Sequence, residues 1–171
     1  MRLNIMREIS IFKVVVNIGV GEAGEKLIKA ERVLELLTHR KPVRTLSKTT
    51  NKDLGIRKGM PIGCKVTLRG EDALEFLKNA FWVKDNKIAD YSFDSEGNFS
   101  FGVGDYTDFK DMKYDPDIGI FGLDISVTLN RKGWRVTNRK RARGKIPRSH
   151  RLTPVEAKNF VKTKLNVEVV S

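Results

Sequence analysis

Pro61-Ile62-Gly63-Cys64-Lys65-Val66-Thr67-Leu68-Arg69 decides the architecture, because its residues alternate in character. In an extended strand Ile62, Cys64, Val66 and Leu68 point one way, while Lys65, Thr67 and Arg69 point the other. A strand with one apolar and one basic, hydrogen-bonding face fits a sheet that is backed by helices and offers its other side to a ligand. Upstream, Ile9-Ser10-Ile11-Phe12-Lys13-Val14-Val15-Val16-Asn17-Ile18 is β-branched and reads as a central strand. Gly19, Gly21 and Gly24 break it, and across 22–37 Leu27, Ala30, Val33, Leu34 and Leu37 recur at helical spacing. Pro42 ends that helix, since proline disfavours helix at the residue before it. A short strand over 43–48 and a polar, basic loop over 49–60 lead back into the alternating strand.

Downstream, 71–83 reads as a second helix, and 98–103 and 120–130 as strands flanking an acidic loop at 104–117. Thr153-Pro154-Val155-Glu156 is a capping box with proline at the first helical position. It opens a helix to about residue 165, and 167–170 reads as a last strand. The expectation is one α+β domain over 1–171, a mainly antiparallel twisted sheet with helices packed on one face and the other face open.

The chain has 171 residues, 33 Lys+Arg against 21 Asp+Glu, and a net charge of +12. Leu, Ile, Val and Phe make up about 30%, too many for a disordered chain of this charge. The charge is unevenly spread: 38–69 carries +8, 85–124 carries −7, and 131–151 carries +10 with no acid at all. A polyanion such as RNA is gripped by the two basic blocks and repelled from the acidic one. Ten like charges without counter-ions in 131–151 repel one another unless something neutralises them. No apolar run approaches the roughly 18 residues that span a bilayer, and the N-terminus has no apolar signal region. The expectation is a soluble, cytoplasmic protein of a reducing compartment with no membrane partner.

Cys64 is the only cysteine, so no intrachain disulfide or cysteine-based zinc cluster forms. It alternates with core positions and reads as a buried thiol. His39 and His150 stand in basic surroundings that suit phosphate contact better than catalysis. Asp105, Asp108, Asp111, Asp115 and Asp117 lack the spacing and central glycine of a calcium loop, so neither metal nor cofactor is expected. Gly19-Val20-Gly21-Glu22-Ala23-Gly24 matches a dinucleotide-binding glycine pattern, but the next strand ends in basic residues where that fold wants an acid for the ribose. A nucleotide-binding enzyme is therefore the weaker alternative, and no catalytic constellation supports an enzyme. Phe99 and Phe101 share one side of a strand and read as core, with base stacking as the rival. Leu54, Ile56 and Met60 stand beside Lys52, Arg57 and Lys58 on a mobile frame of Gly55 and Gly59; buried they belong to the core, exposed together they make a tip for a large partner.

Lys13-Val14-Val15-Val16-Asn17-Ile18-Gly19-Val20-Gly21-Glu22-Ala23, Lys41-Pro42 and the run from Gly55 to Gly70 closely resemble the large-subunit ribosomal protein five family. Ser92-Phe93-Asp94, Gly97-Asn98-Phe99-Ser100-Phe101-Gly102 and Gly119-Ile120-Phe121-Gly122-Leu123-Asp124 continue the likeness in order over nearly the whole chain. The basic stretch through Arg143-Gly144-Lys145-Ile146-Pro147-Arg148-Ser149-His150-Arg151, without the long N-terminal helical segment of bacterial members, resembles the archaeal and eukaryotic branch. The resemblance implies a non-enzymatic protein of the large ribosomal subunit that binds 5S ribosomal RNA in the central protuberance. It implies 5S contacts from Asn17, Gly19, Gly21, Arg40, Lys41, Arg44, Lys48, Lys65, Thr67 and Arg69. It also implies that the loop carrying Lys52, Leu54, Gly55, Ile56, Arg57, Lys58, Gly59 and Met60 reaches transfer RNA in the peptidyl site. Arg139, Lys140, Arg141, Arg143, Lys145, Arg148 and Arg151 are expected to contact further ribosomal RNA of the 23S type. Other 5S-binding and central-protuberance proteins are implied neighbours, as is a protein of the small-subunit head, which 104–117 is expected to meet. A free-standing RNA-binding regulator is the alternative of a different class.

Overall fold

A computed structural model describes residues 4–110 and 112–170. Its main sheet runs β2 (Val43–Leu46), β3 (Pro61–Leu68), β1 (Ile9–Gly19), β6 (Leu123–Arg131) and β5 (Phe99–Val103), with every neighbouring pair antiparallel. β1 is central because its β-branched run fills one face completely: Val14, Val16 and Ile18 are buried. They align with Leu68, Val66 and Cys64 of β3, and Val14 and Val16 also align with Val127 and Ile125 of β6.

Two helices, α1 (Glu25–Thr38) and α2 (Glu71–Val83), contribute Leu27, Ala30, Val33, Leu34, Ala73, Phe76, Leu77, Ala80 and Phe81 to the same core. Each fully buried Leu or Phe stabilises the fold by roughly 1.5–3 kcal/mol. α1 starts three residues later than its periodicity suggests, where the Gly24 carbonyl accepts the Leu27 and Ile28 N–H groups. Cys64 lies within this core, and burial pushes its thiol up to about 11, the behaviour of an inert structural thiol. Phe99 and Phe101 pack against Phe81 at centroid distances of 6.3 and 5.5 Å, Phe99 buried and Phe101 half-buried, so both serve the core.

The capping box forms as expected, opening α4 (Pro154–Leu165). β7 (Glu168–Val170) follows it and pairs in parallel with β4 (Lys87–Ala89). β4 and the short helix α3 (Arg135–Asn138) were not foreseen. β6 begins at Leu123, three residues late, because Ile120 is exposed and Gly122 crosses against Val103 and Gly104. The acidic loop is anchored: Tyr106, Phe109 and Ile118 are buried, and the Asp105 and Asp115 carboxylates accept the Thr107 and Asp117 N–H groups. Asp111 lies outside the described residues.

Candidate nucleic-acid interface

The second face of the sheet carries no helix signal and almost no large apolar side chain. Its rows follow from the register. Val43, Lys65, Asn17, Asp124 and Gly102 form one row across the five strands. Thr67, Val15, Ser126 and Ser100 form the next. Small hydroxyls and an amide on a pleated surface leave backbone and side-chain donors within reach of a ligand, and among the described residues no side-chain hydrogen bond engages Asn17, Thr67, Lys65, Ser100 or Ser126. Folded proteins normally satisfy such groups within the chain or leave them to a partner or water.

The expected 5S-contacting residues sort into three groups. Lys65, Thr67 and Arg69 surround a depression of about 470 Å3 with Arg40, Lys41 and Val43, and Asn17 stands one strand away beside Lys65. Arg69 is held in place: its guanidinium lies 4.7 Å from the Phe12 ring centre and donates to the Phe12 carbonyl at 3.5 Å. Arg40 sits on the rim but donates to Asp72 at 2.5 Å, so its charge is partly compensated. Arg44 is elsewhere. It aligns with Cys64 on the helix-covered side and makes a two-pronged bond to Glu31 of α1 at 2.5 and 3.0 Å. That pairing pushes its guanidinium still further up and draws it away from the open face. Its alternation with Val43 and Thr45 was the signal that it points the other way.

Gly19 and Gly21 lie at the end of the same sheet. Gly19 aligns with Gly63, where an added Cβ would come within 2.7 Å of the Ile18 carbonyl oxygen. The Val20 and Gly21 N–H groups both donate to the Ile62 carbonyl, at 3.0 and 2.8 Å. These donors are consumed by the sheet corner, and the main sheet is antiparallel throughout, so the dinucleotide reading loses both its phosphate cradle and its parallel βαβ frame.

The 49–60 loop is a narrow extension of the β2–β3 hairpin with its own hydrogen-bonded frame. Asn51 and Ile56 exchange backbone bonds of 2.8 and 2.9 Å, Gly55 N–H donates to Lys52, and Lys58 N–H donates to the Thr50 hydroxyl. Lys48, at its base, is exposed. At the tip Leu54 is 67% exposed beside exposed Lys52, Arg57 and Lys58, while Ile56 and Met60 are half-buried. The glycine frame is thus built into a turn, which spacing alone did not reveal.

The basic stretch divides in a similar way. Arg131 is buried, bonded to Glu156 at 2.6 Å. Arg151 pairs with Glu96 at 2.9 Å, and Arg139 donates to the Ala142 carbonyl at 2.7 Å. Lys140, Arg141, Arg143, Lys145 and Arg148 are exposed with no ion pair among the described residues. Sequence reasoning also passed over Lys84, Lys87 and Tyr91, which line a depression on the β5–β6 half of the open face. No helix among the described residues is long and apolar enough to cross a membrane.

Comparison with known proteins agrees with this architecture. The family model described as "Ribosomal protein L5" matches residues 4–57, and the model of that ribosomal family's C-terminus matches residues 61–163. Among curated proteins, the large ribosomal subunit protein uL5 of Thermoplasma volcanium is 56% identical over 98% of this chain and 99% of its own length. The uL5 of Picrophilus torridus is 55% identical over 98% of this chain and 96% of its own, and that of Methanospirillum hungatei 47% over 98% and 99%. A polar, cation-rimmed sheet face and full-length likeness to archaeal relatives lead to one conclusion: the chain belongs to the L5 (uL5) family of large-subunit ribosomal proteins.

Proposed function

We propose that the chain binds 5S ribosomal RNA through the open sheet face and helps seat it in the central protuberance of the large subunit. The observation that carries this reading is the depression around Lys41, Lys65, Thr67 and Arg69, cationic at its rim, where the Lys65 and Thr67 side chains have no hydrogen-bond partner among the described residues. Lysine and arginine hold phosphates, while short polar groups such as Thr67 and Asn17 reach 2′-hydroxyls and base edges. Arg69, already seated on Phe12, meets RNA with little ordering cost. Thr67→Val is expected to weaken 5S RNA binding by roughly 1–3 kcal/mol, the scale for a partner group left unpaired. A filter-binding titration checks it, and unchanged affinity removes Thr67 from the interface.

The hairpin tip around Leu54 is assigned to transfer RNA in the peptidyl site, and Lys140 to Arg148 to 23S-type ribosomal RNA. Other proteins of the central protuberance are neighbours in this assignment, with the acidic 104–117 region facing a protein of the small-subunit head. The tip's internal bonds keep Leu54 and its flanking cations extended away from the sheet. Removing residues 55–59 should leave 5S affinity intact and weaken transfer-RNA retention on assembled ribosomes. Loss of 5S binding in that deletion overturns the division of labour.

A further inference from the structure

On the β5–β6 half of the open face, reaching β1 at Val15 and Asn17, lies a second depression of about 790 Å3. Ser100 and Ser126, directly opposite each other, pave it together with Gly102. Asp124 lies beside Gly102, its carboxylate 3.6 Å from where a Gly102 Cβ would stand. Lys84, Lys87 and Tyr91 stand at its outer side, and Val15, Asn17 and Phe101 also line it.

Two of these residues are out of keeping with their setting. Tyr91 is 91% exposed, more than any other large hydrophobic side chain of the described residues. It is nonetheless held on a braced turn, Asp90–Ser92. Asp90 pairs with Lys158 of α4, and Lys158 in turn lies 5.8 Å from the Phe93 ring centre. β4, immediately before the turn, is tied to β7. An exposed aromatic ring carried on a braced turn beside a polar groove is open to a base as a stacking platform. Asp124 is the second anomaly. It has no ion pair or side-chain hydrogen bond among the described residues, and it projects from a face otherwise suited to a polyanion. An ionised carboxylate accepts hydrogen bonds and donates none, so it repels phosphates and marks a point where RNA presents donors.

We propose that this depression receives one unpaired guanine of ribosomal RNA. Its ring stacks on Tyr91, its N1–H and N2 amino group donate to Asp124, and its flanking phosphates lie against Lys84 and Lys87. Guanine is the base whose Watson–Crick edge sets two donors side by side, matching the two oxygens of a carboxylate. The proposal rests on the open face binding RNA, and it assigns to one half of that face a base-reading role distinct from the cationic half.

The test uses the full-length protein with two probes, a 5S RNA transcript and a large-subunit ribosomal RNA transcript, in filter binding and in kethoxal footprinting, which modifies N1 and N2 of unpaired guanine. On the transcript that carries the base, Tyr91→Ala is expected to lower affinity roughly 5- to 100-fold, while Tyr91→Phe stays near wild type. Asp124→Ala gives a result of opposite sign under the two views. Removing a negative charge should tighten RNA binding on charge alone, whereas loss of a guanine contact weakens it. Wild-type protein should protect one guanine that Tyr91→Ala and Asp124→Ala both expose. Unchanged or tighter binding of both transcripts by these two variants overturns the proposal. If that happens while Thr67→Val still loses 5S affinity, the open-face reading stands and the guanine site falls. The reverse pattern removes Thr67 and leaves the guanine site.

Discussion

Gly97→Ala should destabilise the protein by about 2–5 kcal/mol, lowering the melting midpoint by roughly 5–15 °C. Two independent costs combine. Gly97 has φ +78°, a region that side chains with a Cβ rarely occupy, and an alanine Cβ there would stand 2.9 Å from the Ala157 Cβ. Leu152 Cβ and the Thr153 carbonyl oxygen, each at 3.4 Å, block retreat on two further sides. The turn itself resists relaxation, because the Asp94 carboxylate accepts the N–H groups of Glu96 and Asn98 at 2.9 and 2.7 Å. Relief therefore requires α4 to move, and with it Lys158, which braces the Tyr91 turn. Gly104→Ala is the matched control, since a Cβ there meets nothing within 4 Å. Thermal denaturation followed by circular dichroism decides the matter. A midpoint within 2 °C of the control removes the steric argument.

Glu156→Ala is expected to cost about 2–4 kcal/mol, below the full penalty for breaking a buried ion pair because one partner is partly solvated. Its carboxylate serves two structures at once. One oxygen accepts from Arg131, whose side chain is 8% exposed, and the other accepts the Thr153 N–H to close the capping box of α4. Truncation leaves a buried guanidinium whose Nε already lacks a partner, together with a helix that keeps only the Thr153 half of its capping box. The pH dependence follows from the same contacts. Burial raises the Glu156 carboxyl, but the Thr153 N–H and the Arg131 charge outweigh it and hold the group below its ordinary 4.5. A depressed carboxylate stabilises fully above its unfolded value, and that contribution is lost as pH falls through the lower folded value. Urea titrations of wild type and Glu156→Ala should therefore differ more at pH 7 than at pH 3. An equal gap at both pH values removes the ionic component. Adding Arg131→Met to Glu156→Ala should recover part of the loss, since the unpaired charge leaves with the arginine.

The fold was legible wherever periodicity is a local property. The alternation of Ile62 to Arg69 placed the sheet, its buried face and its open face, and the spacing of Leu27, Ala30, Leu34 and Leu37 placed α1. Thr153 and Glu156 announced their helix because a capping box is written within four residues. What escaped depends on partners distant in sequence. Lys87–Ala89 has no pattern of its own and becomes a strand only beside Glu168–Val170. Asp90 and Lys158 gave no hint that they brace Tyr91.

The charge blocks were read as uniform surfaces, yet Arg131 is buried against Glu156, and Arg44 and Arg151 are paired at the surface with Glu31 and Glu96. Net charge counts ions without saying which already have a neighbour. For the proposed interface, strand alternation was enough to bring Lys65 and Thr67 onto one face, and the family resemblance added Asn17 to it. Tyr91 and Asp124 share a depression only through the register of β5 with β6 and the return of α2.

The position of β1 at the centre of the sheet also sets an order of assembly. Its alignments with β6 join Asn17 to Asp124 and Ile9 to Arg131, residues more than a hundred apart along the chain. During synthesis the first strand made is therefore among the last to be fully flanked, waiting for a partner translated near the end. Such non-local pairing slows folding and leaves an apolar edge exposed meanwhile. The open face, which spans both of β1's neighbours, is completed only once β6 has been made. With RNA bound across the whole sheet as proposed, recognition becomes a test of finished synthesis, and chains truncated before β6 lack half that surface.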